Sequence, residues 1–478
     1  MAKEKKDNSN DNQSLAGYLR KLKKEFPQGL VTITEKVNPE FEVSAILKHL
    51  EDLNKYPAVV FENLLNLKGQ SSCKMVINIA ADRRRLAIAL GLSAEDYRSE
   101  LTKEASKRTF LPKDVNIIKS EDAPVREVIL KDNDIDLRNF PILKFHEFDG
   151  GHFFTSPVVV KDPLTGIYNS SIHRLMYRDK DETNIDMSPF HLYSIYKENE
   201  KKNRPTPVAI ILGHHPCFFI ASAMRVPFES DELRIAGGLL EEPLKVVPSV
   251  TWGDELLVPA EAEMILEGEI LPNRLEPEGP FGEWSGYDRG QMQTQVLKIK
   301  AITQRKDPII VNIFSAHREH STMTLGWEIE ILNKVKSAVP GVRAVSLPAN
   351  AAGMHCYISL NKITDGEPKL AALAAASMGF LKMVIVVDSD IDVFNENEVM
   401  WALGVRFQAH RDADVIREVQ GSVSDPSSDT YNTHSTVLID ATEPKGVLNP
   451  KRVSIPTEVL EKIKLKDYIS SDILKSIE

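Results

Sequence analysis

The sequence EPEGPFGEWSGY occupies residues 276–287 and carries Glu278 and Glu283 at the two ends of a Gly-Pro-Phe-Gly segment. In a fully extended chain, residues five positions apart are separated by roughly 16 Å. The glycines permit sharp turns, and proline fixes its own φ and lacks an N–H donor. A turn at Gly279-Pro280 would therefore bring both carboxylates to face one reacting group.

Two aromatic residues of the same stretch, Phe281 and Trp284, would supply apolar walls to such a turn. Apolar walls raise the pKa of a carboxyl group because they desolvate its charged form. A carboxyl group of this kind acts as a general acid at neutral pH. The stretch therefore predicts an acid–base site, and a solvated loop with two surface glutamates is the alternative.

Size and composition indicate a multidomain globular protein. The chain has 478 residues, of which 42% are hydrophobic and 27% are charged, which fits two or three ordinary domains. The net charge of -10 argues against a partner that is nucleic acid or an anionic membrane surface. Residues 1–13 have no apolar segment, so they predict a disordered polar tail rather than a signal peptide or an anchor.

The cysteines give no sign of a disulfide framework or of a thiolate zinc site. Cys73, Cys217 and Cys356 are far apart in the sequence and form no CxxC pair. This usage is typical of a reducing compartment, and we expect the protein in the cytoplasm.

Strands alternate with helices at both ends of the chain, which predicts an N-terminal α/β domain over residues 14–118 and a C-terminal α/β domain over 326–450. Asn38-Pro39 is a good helix start, because a capping residue precedes a proline. Residues 451–478 alternate Leu and Ile with lysine and predict a docked tail.

The central region, residues 119–325, consists of short β-rich segments separated by turns, which predicts a mainly antiparallel barrel or curled sheet. We expect segment 309–314 to be its last strand. His317 and His320 follow that strand and are candidates for a pocket or a metal site. P-loop, G-x-G-x-x-G, H-E-x-x-H and G-x-S-x-G motifs do not occur in the sequence.

The segment NSSIHR, residues 169–174, has polar side chains on both faces of the strand that it predicts. In a regular strand Asn169, Ser171 and His173 face one side, while Ser170 and Arg174 face the other. Either this is an edge strand, or it is a strand that passes a bound polar ligand.

Together these segments resemble the UbiD-like decarboxylases, which use prenylated flavin mononucleotide (prenylated FMN). The similarity runs in the order of that family from about residue 60 to 445. The segments that carry it are NSSIHR (169–174), SPFHLYS (188–194), IASAMRVP (220–227), SDELRIAGGLL (230–240), LLVPAEAEMILEGEI (256–270), EGPFGEWSGY (278–287) and FLKMVIVVDSDIDVFNENEVMWAL (380–403).

The resemblance implies a multidomain α+β and α/β fold, in which a central split β-barrel binds the flavin between the two α/β domains. The C-terminal domain would form a homodimer or a higher homo-oligomer. The implied reaction is reversible, non-oxidative decarboxylation of an aromatic, heteroaromatic or α,β-unsaturated carboxylic acid, which releases carbon dioxide. A flavin prenyltransferase would supply the cofactor.

The resemblance also implies the catalytic set Arg174, Glu278 and Glu283. Arg174 would hold the substrate carboxylate, because its guanidinium stays charged and binds carboxylates with a fork of donors. Glu278 would orient Arg174 through a charge-assisted pair. Glu283 would return a proton to the carbon that loses carbon dioxide.

The family's metal site corresponds to Asn169, His191 and Glu232, and these donors suit manganese or magnesium beside a flavin phosphate. A potassium ion held by backbone oxygens near Ser170, Ala221 and Met224 is a further family feature. Other residues implied in flavin binding are Ser171, Ile172, His173, Phe190, Ser222 and Ala223.

Two positions depart from the family pattern. Many relatives have a phosphate-contacting lysine four residues before an aspartate in the late strand, and here Thr436 precedes Asp440 at that spacing. Phe190 stands where some relatives have glutamine. The first change removes one positive charge from the phosphate site.

The predicted substrate pocket includes Trp284, His317, His320 and His434. Three other functions remain open at this point. Glu278 and Glu283 fit a retaining-type hydrolase, which needs carboxyl groups about 5 Å apart; the barrel fits an FMN oxidoreductase; and the chain fits a non-catalytic assembly subunit.

Overall fold

A computed structural model of the chain describes residues 12–187, 190–429, 432–443, 452–470 and 473–474. The chain divides into two units, Met1–Thr442 and Glu443–Glu478. Most of the predicted N-terminal tail lies outside the described residues. Gln13, its last residue, is buried and donates a hydrogen bond to the Pro243 carbonyl at 2.8 Å.

The N-terminal region forms an α/β layer in which β1 and β2 pair in parallel and β2 and β3 pair antiparallel. Its helices begin at side-chain caps where the sequence offers them: the Ser14 hydroxyl accepts from the Gly17 N–H, and the Asp82 carboxylate from the Arg84 N–H, both at 2.9 Å. The elements are α1 (Leu15–Glu25), β1 (Leu30–Val37), α2 (Glu42–Asp52), β2 (Ala58–Leu64), β3 (Lys74–Ile77), α3 (Arg83–Ala89), α4 (Ser99–Thr109) and β4 (Asn116–Ile117).

The predicted start of the second helix at Asn38-Pro39 is wrong, because α2 begins at Glu42. The Asn38 side chain accepts from the Glu40 N–H at 2.9 Å, and the Glu42 carboxylate accepts from the Asn38 N–H at 2.7 Å. These local bonds stabilise a turn in place of the first helical turn.

The central region is mainly antiparallel, as predicted. Its elements are β5 (Val128–Lys131), β6 (Phe153–Lys161), β7 (Tyr168–Asp179), β8 (Glu182–Ile185), α5 (His191–Glu200), β9 (Thr206–Ile211), α6 (Pro216–Ala223), α7 (Glu232–Leu239), β10 (Lys245–Ser249), β11 (Gly253–Pro259), β12 (Met264–Glu278), β13 (Phe281–Gly282), β14 (Asp288–Arg289) and β15 (Met292–Gln304).

Among the described strands, six close into an antiparallel barrel in the order β12-β9-β6-β7-β8-β15, and β15 pairs back with β12. The long β12–β15 ladder runs from the pair Met264–Gln304 to the pair Glu278–Met292. The barrel confirms the predicted fold class. Along β7, residues 169–174 pair with β6, and Tyr177 and Asp179 pair with β8.

Both faces of the barrel wall are buried, and the side chains alternate between two cores. Val158 and Val160 of β6 belong to one hydrophobic cluster, while Val159 between them belongs to another. This period of two follows from the strand pleat. It explains why β6 has a continuous apolar run at residues 157–160 instead of alternating polar and apolar residues.

The last strand of the predicted barrel, β16 (Ile309–Val311), does not belong to the barrel. It pairs in parallel with β3, so the N-terminal sheet has the order β1-β2-β3-β16. The assignment of this segment to the barrel is therefore wrong. A short apolar run predicts a strand, but it contains no signal for the partner with which that strand pairs.

The C-terminal region forms a sheet with the order β17-β18-β19-β21-β20, in which β18, β19 and β21 are parallel. The residues of β19 alternate between a core shared with α9 and α10 and a core shared with α11. The elements are α8 (Arg318–Thr322), α9 (Leu325–Ala338), β17 (Val342–Ser346), β18 (His355–Leu360), α10 (Glu367–Ala376), β19 (Met383–Asp388), α11 (Glu396–Arg406), α12 (Ala409–Asp412), β20 (Ala413–Gln420) and β21 (Thr433–Ala441).

The second unit contains α13 (Thr457–Lys462). Its described part exposes several large apolar side chains, including Val453, Leu460 and Ile463. The docking of residues 451–478 stays a prediction. Within the described residues, every helix is too short or too polar to span a bilayer.

Candidate active site

The side chain of Arg174, on β7, forms a two-point contact with Glu278, the last residue of β12. Arg174 Nε donates to Glu278 Oε1 and Nη2 donates to Oε2, both at 3.0 Å. Glu278 is 0% exposed, so the guanidinium is the counter-charge that makes its burial tolerable. The contact between strands that are distant in sequence holds Arg174 in one orientation.

Glu283 reaches the same guanidinium from the other side. It follows β13, which pairs with β14 in a short hairpin, and its Oε1 contacts Arg174 Nη1. The Gly279-Pro280 peptide is cis, and Gly279 has φ +86°, a conformation that favours glycine. The turn that the sequence predicts therefore brings both carboxylates to one group, which is Arg174.

Asp186 is a third acid at this site, and the sequence analysis missed it. Its Oδ2 lies 3.3 Å from Arg174 Nη2 and accepts from Arg289 Nη1 at 3.0 Å. Asp186 directly follows β8, and Arg289 is the last residue of β14. No local sequence signal marks either residue, because their proximity depends on how the barrel closes.

The cluster places the carboxylates of Asp186, Glu278 and Glu283 beside the guanidinium groups of Arg174 and Arg289. Burial raises the pKa of Glu278 and of Glu283, and the Arg174 charge opposes both increases. Burial lowers the pKa of Arg174, but the three acids outweigh it and raise that pKa overall. Arg174 therefore stays charged, and burial favours the protonated form of both glutamates.

The two predicted apolar walls have different positions. The Phe281 ring centroid lies 5.1 Å from Arg174 Cζ and packs on Phe153 at 4.6 Å. Trp284 instead packs on Trp327 and Phe380, with centroid distances of 5.7 and 6.3 Å. Phe281 therefore borders the charged cluster, and Trp284 joins the hairpin to the C-terminal region.

The predicted metal ligands come together at the other end of β7. Asn169 Nδ2 donates to Glu232 Oε1 at 3.0 Å, and His191 Nδ1 lies 3.8 Å from the same oxygen. Glu232 is 2% exposed, and among the described residues no lysine or arginine forms an ion pair with it. Burial raises the pKa of Glu232, and the nearby His191 opposes that increase.

This donor set fits a divalent cation. A buried carboxylate without a basic partner needs a counter-charge, and imidazole, carboxylate and amide oxygen are suitable ligands for manganese or magnesium. His191 and Glu232 are the first residues of α5 and α7. Both side chains are therefore positioned beside β7 by the first residue of a helix.

The residues predicted to contact flavin line both faces of β7 and the end of α6. On one face, Ser171 Oγ donates to Asn169 Oδ1 at 3.2 Å and lies 2.8 Å from His173 Nε2. On the other, Ser170 Oγ and Ser222 Oγ are 2.7 Å apart. Further predicted residues on these elements or at their ends are Ile172, Phe190, Ala223 and Met224.

Of the two histidines after β16, His320 is the one near Arg174. Burial and the Arg174 charge lower the pKa of His320 to about 4, and its buried Nδ1 has no hydrogen-bond partner among the described residues. His317 instead binds Glu51 at 2.9 Å through Nδ1 and stacks on Phe314 at 3.7 Å. His320 therefore has a ring nitrogen without a partner among the described residues, whereas Nδ1 of His317 is already paired.

Glu319, between these histidines, anchors the segment. Its carboxylate is fully buried and accepts from the N–H groups of Asn78, Ala80 and Phe314 at 2.8, 3.2 and 2.9 Å. The segment that carries His320 is thereby fixed to the N-terminal sheet.

His434 belongs to a polar group on the C-terminal sheet. Its Nε2 lies 3.3 Å from Thr436 Oγ1, and its Nδ1 lies 3.8 Å from Asp425 Oδ2. A hydrogen bond from the neighbouring Ser424 lowers the pKa of Glu283 against the effect of burial. His434 is thus linked to the acid cluster through the segment between β20 and β21.

Gly150 supports the turn that carries both glutamates. A Cβ at Gly150 would lie 2.0 Å from the Gly279 oxygen, and the Gly150 N–H donates to the Pro280 carbonyl at 2.8 Å. Because backbone atoms cannot move aside as a side chain does, only glycine permits this contact.

We expect Gly150→Ala to displace the turn and to lower turnover by about 100-fold, since misplacement by about 1 Å has effects of that size. Overpacking would also lower the free energy of unfolding by about 1–3 kcal/mol. Steady-state assays and thermal melting measure the two effects. Gly290→Ala is the matched control, because a Cβ there meets no atom within 4 Å; equal behaviour of the two variants would contradict this role.

Comparison with known proteins covers nearly the whole chain. Family models of the 3-octaprenyl-4-hydroxybenzoate carboxy-lyase match it in three parts: the N-terminal domain at residues 22–105, the Rift-related domain at 116–318 and the C-terminal domain at 320–441.

Similar curated proteins include decarboxylases of different acids. The phenolic acid decarboxylase of Sedimentibacter hydroxybenzoicus is 32% identical over 87% of this chain and 88% of its own length. The anhydromevalonate phosphate decarboxylase of Methanosarcina mazei is 33% identical over 87% of this chain and 93% of its own length.

Solved structures are also similar to this chain over nearly its whole length. The UbiD-class enzyme HmfF from Pelotomaculum thermopropionicum, in complex with FMN, has a TM-score of 0.88 at 33% identity and covers 95% of this chain and 100% of its own. The open form of vanillic acid decarboxylase ShVdcCD from Sedimentibacter hydroxybenzoicus has a TM-score of 0.83 at 30% identity, over 95% of this chain and 99% of its own.

Proposed function

This chain belongs to the UbiD family of carboxy-lyases, and we propose that it decarboxylates an aromatic, heteroaromatic or α,β-unsaturated carboxylic acid reversibly and without oxidation, using prenylated FMN. An evolved dimeric form of HmfF has been solved in complex with prFMN. The observation that carries the proposal is the buried Arg174, which Glu278 holds from one side and Glu283 contacts from the other.

Arg174 is the residue that we propose holds the carboxylate of the substrate. Glu278 accepts hydrogen bonds from Nε and Nη2 of the guanidinium. Nη1, which contacts Glu283, is therefore the group left to bind a ligand. Release of Glu283 from Nη1 would free a donor for the substrate carboxylate. Glu278 acts through Arg174 and is a positioning residue.

Glu283 is the proton donor in this proposal. Its pKa is raised by burial, which favours the protonated form that a general acid needs. Glu283 and the substrate carboxylate compete for the same guanidinium. When the substrate carboxylate pairs with Arg174, the Arg174 charge no longer opposes protonation of Glu283. Substrate binding therefore favours the acid form of Glu283 when the proton is needed.

Prenylated FMN, when bound, supplies an electron sink for the carbon that loses carbon dioxide. We propose that Asn169, His191 and Glu232 hold manganese or magnesium, which neutralises part of the charge on the flavin phosphate. Backbone oxygens near Ser170 and Met224 would hold potassium.

Replacement of Glu232 by alanine is expected to lower the affinity for Mn²⁺ by at least about 100-fold, because it removes the charged ligand. Metal analysis of the purified protein and titration with Mn²⁺ measure this effect. Glu229→Ala, at an exposed position of the preceding loop, is the matched control. Unchanged Mn²⁺ content in the Glu232 variant would contradict the ligand assignment.

The expected partners follow from the same reaction. They are a small carboxylic acid, carbon dioxide, a flavin prenyltransferase that supplies the cofactor, and further copies of this chain, which we expect in the cytoplasm. The apolar side chains that α11 exposes, among them Met400 and Val405, are available for contact between copies.

The geometry disfavours the hydrolase that the paired glutamates also fit. A retaining glycosidase needs one free carboxylate as nucleophile, whereas here both glutamates contact the same arginine. An FMN oxidoreductase and a non-catalytic assembly subunit differ from the proposal in cofactor and in activity, and the experiment below separates them.

Deuterium exchange over a panel of acids and their decarboxylated products tests the proposal. Exchange at the reacting carbon detects a substrate even when the equilibrium disfavours the product. We expect the protein produced with a flavin prenyltransferase to exchange at least one aromatic, heteroaromatic or α,β-unsaturated compound. Flavin-bound protein that exchanges none of the panel would contradict the proposed activity. Consumption of a reductant with ordinary FMN would then favour the oxidoreductase, and its absence would favour the assembly subunit.

A further inference from the structure

The guanidinium of Arg225, just beyond α6, lies among three aromatic rings. Arg225 Cζ is 5.0 Å from the ring centroid of Phe190, 5.1 Å from that of Phe380 and 5.3 Å from that of Trp327. We call these three residues the aromatic cage. Each ring attracts the cation through its π face, so the cage fixes the guanidinium without using its N–H donors.

Most donors of Arg225 have no partner in the described part of the chain. Nη1 donates to the Met378 carbonyl at 3.3 Å, and no described carboxylate forms an ion pair with Arg225. Glu330 is the acid whose charge raises the pKa of Arg225 against the effect of burial, but Glu330 pairs with Lys334 at 3.5 Å. By contrast, the buried Arg126 pairs with Glu267 at 2.9 Å.

The aromatic cage connects the two halves of the candidate active site. Phe190 directly precedes His191, whose ring lies near Glu232. Trp327 packs on Trp284 at 5.7 Å, and Trp284 directly follows Glu283. Arg225, most of whose donors have no partner among the described residues, is therefore linked through the cage to the proposed metal ligands and to the proposed proton donor.

In the described C-terminal region, Thr436 and Lys382 supply no unpaired charge to a ligand. Thr436 is uncharged, and its hydroxyl donates to the Leu381 carbonyl at 2.7 Å. Lys382, which directly precedes β19, pairs with Asp425 at 3.1 Å. Of these three residues, Arg225 is the one whose positive charge is not already paired with a described carboxylate.

We propose that Arg225 binds an anionic group of a ligand in this site, either the phosphate of the flavin or a second carboxylate or phosphate of the substrate. Arginine suits both groups, because its planar fork forms paired hydrogen bonds with phosphate and carboxylate oxygens. The inference rests on the proposed function, since it assumes that the flavin and an acid bind here.

The first arm of the test measures binding of FMN and of riboflavin, which lacks the phosphate, to the full-length protein by flavin fluorescence. If Arg225 binds the flavin phosphate, Arg225→Met weakens FMN binding by about 10- to 100-fold and leaves riboflavin binding unchanged. Arg225→Lys, which keeps the charge but not the fork, has a smaller effect. Arg84→Met, which removes another arginine that stacks on a ring, is the matched control.

The second arm uses the flavin-loaded enzyme and acids with or without a second anionic group. If the anion belongs to the substrate, Arg225→Met leaves FMN binding unchanged and raises KM by at least about 10-fold for the doubly anionic acids alone. Either selective loss supports the proposal.

A purely structural arginine would give a different result. In that case Arg225→Met would affect FMN and riboflavin equally, would not discriminate between the acids, and would be reproduced by Glu330→Gln, which removes the nearby acid. These outcomes would overturn the inference. A wild-type protein that binds no flavin and exchanges no acid would contradict the proposed function itself.

Discussion

Replacement of Glu283 by glutamine is expected to lower the rate of decarboxylation strongly while the flavin stays bound. Glutamine keeps the size of the side chain and its contact with Arg174 but has no proton to donate. General acid catalysis contributes about 10²- to 10⁴-fold to rates, so we expect turnover to fall within that range. Glu283 is not among the residues that we propose hold the metal or the flavin, so the flavin spectrum should not change.

Rate measurements over a range of pH test this role directly. The wild-type rate should fall as the pH rises through the raised pKa of Glu283, because the acid form is the active one. The residual rate of Glu283→Gln should lack that decline. Glu276→Gln, at a partly exposed position of β12, is the control and should behave as the wild type. A Glu283→Gln enzyme with the parent rate would refute the proton-donor assignment.

Replacement of Arg174 by methionine is expected to affect both activity and stability. The substrate would lose the guanidinium that holds its carboxylate, and Glu278 would lose its counter-charge while it stays buried. Breaking a buried ion pair from one side costs about 3–5 kcal/mol of folding free energy. We therefore expect a loss of unfolding free energy of this order and no measurable decarboxylation.

The stability loss should depend on pH. Without Arg174, the pKa of the buried Glu278 would rise further, because the opposing charge is gone. A group whose pKa is raised by folding contributes stability at pH values below its unfolded pKa, and that contribution is lost as the pH rises through the folded value. Urea unfolding should therefore show a smaller deficit in mildly acidic buffer than at neutral pH.

Arg178→Met is the control for this variant, since Arg178 lies on the same strand and pairs with Glu276 at 3.4 Å near the surface. An exposed pair of that kind contributes at most about 1 kcal/mol. Equal losses in the two variants, or a deficit that does not change with pH, would contradict the role of Arg174 as the counter-charge of Glu278.

Sequence patterns predicted the structure correctly where the residues that determine it are close together in the chain. The glycines and proline of residues 276–287 predicted the turn that joins Glu278 to Glu283. The motif resemblance predicted the barrel fold, and the structure brings Arg174, Glu278 and Glu283 into contact.

Sequence patterns failed where partners are distant in the chain. The pairing of β16 with β3, the approach of Asp186 to Arg174 and the cage around Arg225 each depend on how separate layers pack. A run of apolar residues, or a single acidic residue, does not indicate which distant segment it will contact. The predicted start of α2 was wrong for a local reason, because the Asn38 and Glu42 side chains stabilise a turn that competes with the helix.

The most direct test of the central claim is the activity of the protein produced with and without a flavin prenyltransferase, assayed on an acid identified by deuterium exchange. We predict that decarboxylation requires co-production of the prenyltransferase, and that protein holding ordinary FMN, or no flavin, is inactive. Equal decarboxylation by the protein made without the prenyltransferase would contradict the account, because Arg174, Glu278 and Glu283 would then act without the modified flavin.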